Sequence, residues 1–175
     1  MKKLLLAVMV LVASATATKA QFYIGGSLGF WSNSWHYSRG ITSFNIAPDA
    51  GYSFNDRWAV GLAVGFDMDI YQKNHPYYPN NRYYFYAEPY ARFNYFSTDR
   101  IKLFLDGVVG ISLNHNGLEG FQVIIRPGIA INLTDHFSLD GTFGTLGFRQ
   151  DYRNTNSGFG LDLTNSLEFG FYYSF

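Results

Sequence analysis

The chain has no cysteine, which excludes a disulfide framework, a thiolate metal site and a lipidated cysteine at a processed N-terminus. Lysine and glutamate are nearly as scarce. Beyond residue 20 only Lys73, Lys102, Glu88, Glu119 and Glu168 occur. Water-soluble domains carry charged residues over about 25–35% of their surface, whereas here aromatics, at 19%, outnumber all charged residues, at 15%. Too little ionic surface is present to cover the chain in water, so its outside is expected to meet lipid. A long apolar run is also missing: no segment beyond residue 20 reaches the roughly 18 consecutive apolar residues of a membrane helix. Without residues 1–20 there remain 10 basic and 13 acidic residues, a net charge of −3, which argues against a nucleic-acid partner.

What is present begins with Lys2 and Lys3, an apolar run from Leu4 to Ala13, and small residues up to Ala20. This order reads as a secretory signal peptide over 1–20, with the mature domain at 21–175. The final segment alternates strictly. Leu167, Phe169, Phe171, Tyr173 and Phe175 share one face, and Glu168, Gly170, Tyr172 and Ser174 the other. A period of two is a β-strand with one aromatic face. Seven further alternating segments precede it, so the predicted strands are Phe22–Trp31, Ser43–Phe54, Arg57–Tyr71, Tyr83–Phe96, Ile101–Leu113, Phe121–Leu133, Phe137–Arg149 and Thr164–Phe175.

Their connections alternate in length. Asn55-Asp56, Ser97–Arg100 and Thr134–His136 are tight turns, while longer polar stretches fall near 32–42, 72–82, 114–120 and 150–163. Short periplasmic turns and long outer loops on alternate ends are the outer-membrane barrel pattern. The hairpins repeat as well: the run from Pro48 to Trp58 aligns without gaps on that from Pro127 to Phe137, and Pro89 opens a third copy. A closed barrel has no edge, and proline cannot donate to a ladder. Bulges are therefore expected at Pro48, Pro89 and Pro127. The fold predicted is all-β, an eight-stranded antiparallel up-and-down transmembrane β-barrel. Alternation alone does not say which face is inside, and a lipocalin-like soluble barrel would turn the apolar face inward. The scarcity of lysine and glutamate and the loop asymmetry favour apolar outside.

The run Pro48-x-x-Gly51-Tyr52-x-Phe54-x-Asp56-x-Trp58-Ala59-Val60-Gly61, with the terminal Phe175, resembles the small outer-membrane β-barrel proteins of Gram-negative bacteria. These are often labelled porin family, and the chain is similar in build to OmpX and to the membrane domain of OmpA. The resemblance implies residence in the bacterial outer membrane after secretion, with outer-membrane lipid and lipopolysaccharide as surroundings. It also implies that the terminal strand, through Phe169, Phe171, Tyr173 and Phe175, is read by the barrel-assembly machinery during insertion.

Function is carried less clearly. On the inward face the charges Glu88, Arg92, Asp106, Arg126, Asp140 and Glu168 are expected to form an interior polar network, because charges in a low-dielectric core must pair. Trp35, Tyr37, Tyr77 and Tyr78 in the outer loops are the candidate contacts for a surface protein or glycan ligand. His136-Phe137-Ser138 is a His-x-Ser run, but it falls in a periplasmic turn and lacks the third group of a hydrolase. His36, His75 and His115 sit in three separate loops without the paired spacing of a zinc site. No catalytic, metal or cofactor site is predicted, and no glycine-rich phosphate loop occurs. The expected role is structural, in envelope integrity or in surface interaction through the loops. A small porin-like channel is the alternative, and an outer-leaflet lipid-modifying enzyme the third reading.

The terminal strand generates one test. Deleting Phe175 is expected to lower outer-membrane levels more than it lowers the stability of the refolded barrel. Normal membrane levels of the truncated protein would count against a role in assembly.

Overall fold

The structure, a computed structural model, describes residues 21–33, 41–71, 81–115, 117–154 and 157–175. The segment 1–20 lies outside them, as do Trp35, His36, Tyr37, His75, Tyr77 and Tyr78. Eight antiparallel strands, each bonded to its neighbours in sequence, close into a barrel: β1 (Gln21–Asn33), β2 (Ile41–Ser53), β3 (Trp58–Tyr71), β4 (Arg82–Ser97), β5 (Ile101–Asn114), β6 (Gly117–Asn132), β7 (Phe137–Gln150) and β8 (Gly158–Ser174). Leu62, Val64, Val109, Val123, Ile125, Phe169 and Phe171 are exposed on the outside, whereas Asp49, Glu88, Asp106 and Asp140 are buried within. Apolar outside and polar inside is the reverse of a lipocalin and fits a lipid surround.

Two strands run further than alternation predicts. β6 begins at Gly117 rather than Phe121, and β8 at Gly158 rather than Thr164. The ladder is continued there by the pairs Asn114↔Gly117 and Arg149↔Gly158, among glycines and polar residues that blur a period of two. Residues 117–120 and 158–163 are thus strand, where the alternation predicts outer loop. A 3₁₀ turn, Tyr152–Asn154, forms the core of the shortened β7–β8 connection.

At the other end the turns are tight, for a reason the repeat encodes. Asn55 Oδ1 accepts from the backbone N–H of Arg57 (2.8 Å) and Trp58 (2.9 Å). Thr134 Oγ1, at the aligned position, accepts from His136 (3.3 Å) and Phe137 (3.0 Å). Short polar side chains that bond their own backbone two or three residues on are what hold such turns.

The prolines behave differently from expectation. Only Pro127 lies at a bulge, where the β6–β7 register shifts between Ile125 and Gly128. At Pro48 the β2–β3 ladder passes from Ile46↔Phe66 to Asp49↔Ala63 in unchanged register. At Pro89 the β4–β5 ladder passes from Ala87↔Ile111 to Tyr90↔Val108, again unchanged. On its other side each proline stays paired: Gly26↔Pro48, Leu62↔Pro89 and Leu105↔Pro127. In an antiparallel strand the N–H and C=O of one residue face the same neighbour. A missing N–H therefore opens one ladder locally and leaves the other intact, and no extra residue is required.

Glycine inside the strands has a packing cause. Tyr23, Gly51, Gly61 and Tyr90 lie in one register row across β1 to β4, and the two phenols meet over the glycines, 2.8 Å apart. A Cβ on Gly61 would lie 2.4 Å from the Tyr90 ring and hydroxyl. Gly65 is covered in the same way by Tyr86. Overpacking of this kind costs typically about 1–3 kcal/mol. Gly61→Val is accordingly expected to lower the urea midpoint of the detergent-refolded barrel, while Gly160→Val, where a Cβ meets nothing within 4 Å, leaves it near the wild-type value.

Candidate functional site

The lumen holds the chemistry, and strand parity delivers it there. Arg92 on β4 and Asp106 on β5 are register partners, and the guanidinium grips that carboxylate through Nε (2.8 Å) and Nη2 (3.0 Å). Its Nη1 crosses the lumen to Asp140 on β7 (2.6 Å). The guanidinium also lies 3.6 Å from the centre of the Phe104 ring, and Phe104 is fully buried over Gly128. One cation thus ties β4, β5 and β7 together in one layer.

Above it sits a layer that charge counting misses. Asp49 accepts from Tyr90 (2.9 and 3.1 Å) and from Tyr172 (2.9 Å), and Tyr90 bonds Tyr23. Four strands meet at this carboxylate and its phenols: β1, β2, β4 and β8. Tyr172 lies on the polar face of the terminal strand beside Glu168, so its inward direction was legible from alternation. That its hydroxyl reaches Asp49, 123 residues away, was not.

The third layer centres on Glu88. Its carboxylate accepts from Gln122 (2.9 Å), from Tyr152 (2.7 Å) and from Arg126 (3.4 Å). Arg126 also lies 3.8 Å from Glu168, whose side chain is 54% exposed to the lumen. Buried Arg126 Nε has no hydrogen-bond partner among the described residues. The 3₁₀ turn after β7 dips into the barrel mouth to reach this layer. Burial, with the Glu88 carboxylate beside it, pushes the Tyr152 phenol well above its ordinary range, so it stays a donor. Arg153 pairs with Asp67 and lies over the Tyr86 ring at 4.3 Å, in a left-handed backbone conformation (φ 50°).

All six charges singled out from the sequence therefore point into the lumen, but as two clusters rather than one. Arg92, Asp106 and Asp140 form the first, and Glu88, Arg126 and Glu168 the second. The layers divide the interior into cavities of about 530 Å³ toward the outer mouth, about 40 Å³ between the layers and about 110 Å³ at the end of the tight turns. In the terminal strand Phe169, Phe171 and Phe175 are exposed on the outside, while Tyr173 packs against the rings of His136, Phe137 and Phe175. His136 Nδ1 is 2.9 Å from the Ser174 carbonyl, so this imidazole holds a turn to the last strand.

Removing one partner of a buried ion pair costs roughly 3–5 kcal/mol, because the other charge stays buried and unpaired. Arg92→Ala is expected to destabilise the refolded barrel by this order in urea titration. Adding Asp106→Ala and Asp140→Ala to that variant is expected to restore part of the loss.

No curated protein matches the chain. Among solved structures, the chain is similar to OmpT (in-vitro folded), an outer membrane protein of Vibrio cholerae, with a TM-score of 0.38 and 12% sequence identity. The match covers 91% of this chain and 53% of that one, so the chain spans about half the length of that structure. Residues 4–175 match the family described as outer membrane protein beta-barrel domain. With a closed barrel that is apolar outside and ion-paired inside, the chain belongs to the outer membrane protein β-barrel domain family, and its place is the bacterial outer membrane.

Proposed function

We propose that this barrel is a non-conducting, non-enzymatic outer-membrane protein that serves envelope integrity and presents its outer loops for surface interaction. The observation that carries the reading is the layered lumen. An eight-stranded barrel is just wide enough for its side chains to fill. Here Arg92 with its two carboxylates, Asp49 with its phenols, and Glu88 with Arg126, Gln122 and Tyr152 cross that lumen in turn. A cross-lumen pair must break before an ion passes, and breaking one leaves a buried charge.

In this reading residues 1–20 direct secretion and the terminal aromatic strand guides insertion. Trp35, Tyr37, Tyr77 and Tyr78 supply surface contacts to protein or glycan. Support for a role without catalysis comes from His136, which is engaged by the Ser174 carbonyl and the Tyr173 ring at the tight-turn end.

The porin-like alternative is separated by conductance. In planar bilayers the purified protein is expected to give no steady current, and liposomes containing it no sugar-dependent swelling. Steady openings in the wild-type protein would replace the sealed barrel by a channel, and an increase of those openings in Arg92→Ala or Arg126→Ala would place its gate at the ion pairs.

A further inference from the structure

Seven of the eight strand seams are paired along most of their length, and the seam between β1 and β8 is not. Its ladder holds four pairs, from Tyr23↔Ser174 to Gly26↔Phe171, and stops. Above that point Ser27–Asn33 of β1 has no ladder partner on β8 among the described residues, although β1 continues fully paired to β2. β8 likewise continues up to Gly158, where its ladder runs along β7 from Thr145↔Asp162 to Arg149↔Gly158.

The cause lies in a large irregularity. Where β7 advances two residues from Phe143 to Thr145, β8 advances five, from Leu167 to Asp162. Gly144, at the turn of this bulge, has a φ of 72°, a left-handed conformation that glycine adopts without steric cost. Bulges bend a strand and end regular pairing.

Exposed apolar side chains border the opening, as they do at hydrocarbon depth in a membrane barrel. Leu28 (75% exposed) and Phe30 (71%) flank it on β1, and Phe159, Leu161, Leu163 and Leu167 on β8 are similarly exposed. Free backbone groups at this depth cost several kcal/mol each unless protein, lumen water or a ligand satisfies them. Behind the opening lies the 530 Å³ cavity, whose lining includes Gly29 and Phe30 of β1 on one side of the seam and Glu168 of β8 on the other. That volume falls in the ~300–1,000 Å³ range of small-molecule sites. At its floor stand Arg126, with its unpartnered Nε, and the exposed carboxylate of Glu168, the two only loosely paired at 3.8 Å.

We infer that the β1–β8 seam is a lateral portal through which the headgroup of a zwitterionic, phosphoethanolamine-type amphiphile enters the lumen from the outer leaflet. Its acyl chain stays among Leu28, Phe30, Leu161 and Leu167. The phosphate meets Arg126, and the ammonium meets Glu168. An apolar ligand has no use for these two charges, and a headgroup entering through the barrel mouth has no use for an opening flanked by leucine and phenylalanine.

The full mature chain in octyl glucoside, an uncharged detergent, is suited to the test. Palmitoyl lysophosphatidylethanolamine is expected to bind 1:1 by native mass spectrometry, at least tenfold more tightly than monopalmitoylglycerol or water-soluble phosphoethanolamine. Gly29→Trp places a large ring at the portal, where a Cβ meets nothing closer than 3.4 Å. This variant is expected to lower that binding at least tenfold. Glu168→Gln is expected to narrow the preference over monopalmitoylglycerol. Should Gly29→Trp not fold, the wild-type protein alone decides by NMR: the lysolipid is expected to shift the amides of Gly29, Phe30, Arg126 and Glu168. Equal binding of the soluble headgroup, unchanged binding in a folded Gly29→Trp, or shifts confined to the outer loops or to the lipid face away from the seam would overturn the portal. Each of these outcomes leaves the sealed-lumen reading standing, because that reading depends on the layers below the cavity.

Discussion

Lipid offers a backbone no hydrogen-bonding partner, and this constraint organises the whole protein. Every strand must bond on both sides, so the sheet closes on itself. Closure with eight strands makes a lumen so narrow that side chains fill it. Half of all strand residues then point into that space, and half into hydrocarbon. The layers of the lumen, the glycines under its rings and the scarcity of lysine and glutamate all follow from those two facts.

Filling the lumen sets a second problem, since tyrosine and arginine are too large to face one another across so small a ring. The solution is alternation of large and small residues around the barrel. Tyr23 and Tyr90 occupy the room that Gly51 and Gly61 leave, and Phe104 occupies that of Gly128. Glycine weakens a strand taken alone, but in a closed ladder it lets a phenol lie flat against the wall and reach a carboxylate. Charges are admitted on the same terms. Arg92 is held by two carboxylates and a ring, so its desolvation is offset from every side.

The interruptions of the ladder have a common logic. Pro48, Pro89 and Pro127 each open one seam briefly while the other side stays paired, so the barrel tolerates them within its wall. The residues just before two of them, Glu88 and Arg126, are ion-paired across the lumen. The β1–β8 seam differs in kind: among the described residues its ladder ends at Gly26↔Phe171, beside the 530 Å³ cavity and the loosely paired Arg126 and Glu168.

Period two, turn residues and composition were enough to place the strands, to orient their faces and to draw out the six charges of the interior. These properties are local, set by which side of a strand a side chain leaves and whether its neighbours tolerate water. The pairing of those charges was not local. Arg126 sits in register with Asp106 yet contacts Glu88 and Glu168. Tyr152, in a stretch that reads as an outer loop, turns inward to Glu88. By itself the sequence determined an outer-membrane barrel with a polar inside, because alternation and lipid solvation act residue by residue. Only the tertiary structure decided which groups meet across the lumen and where the wall opens, because both depend on the shear and the bulges that bring distant strands to the same height.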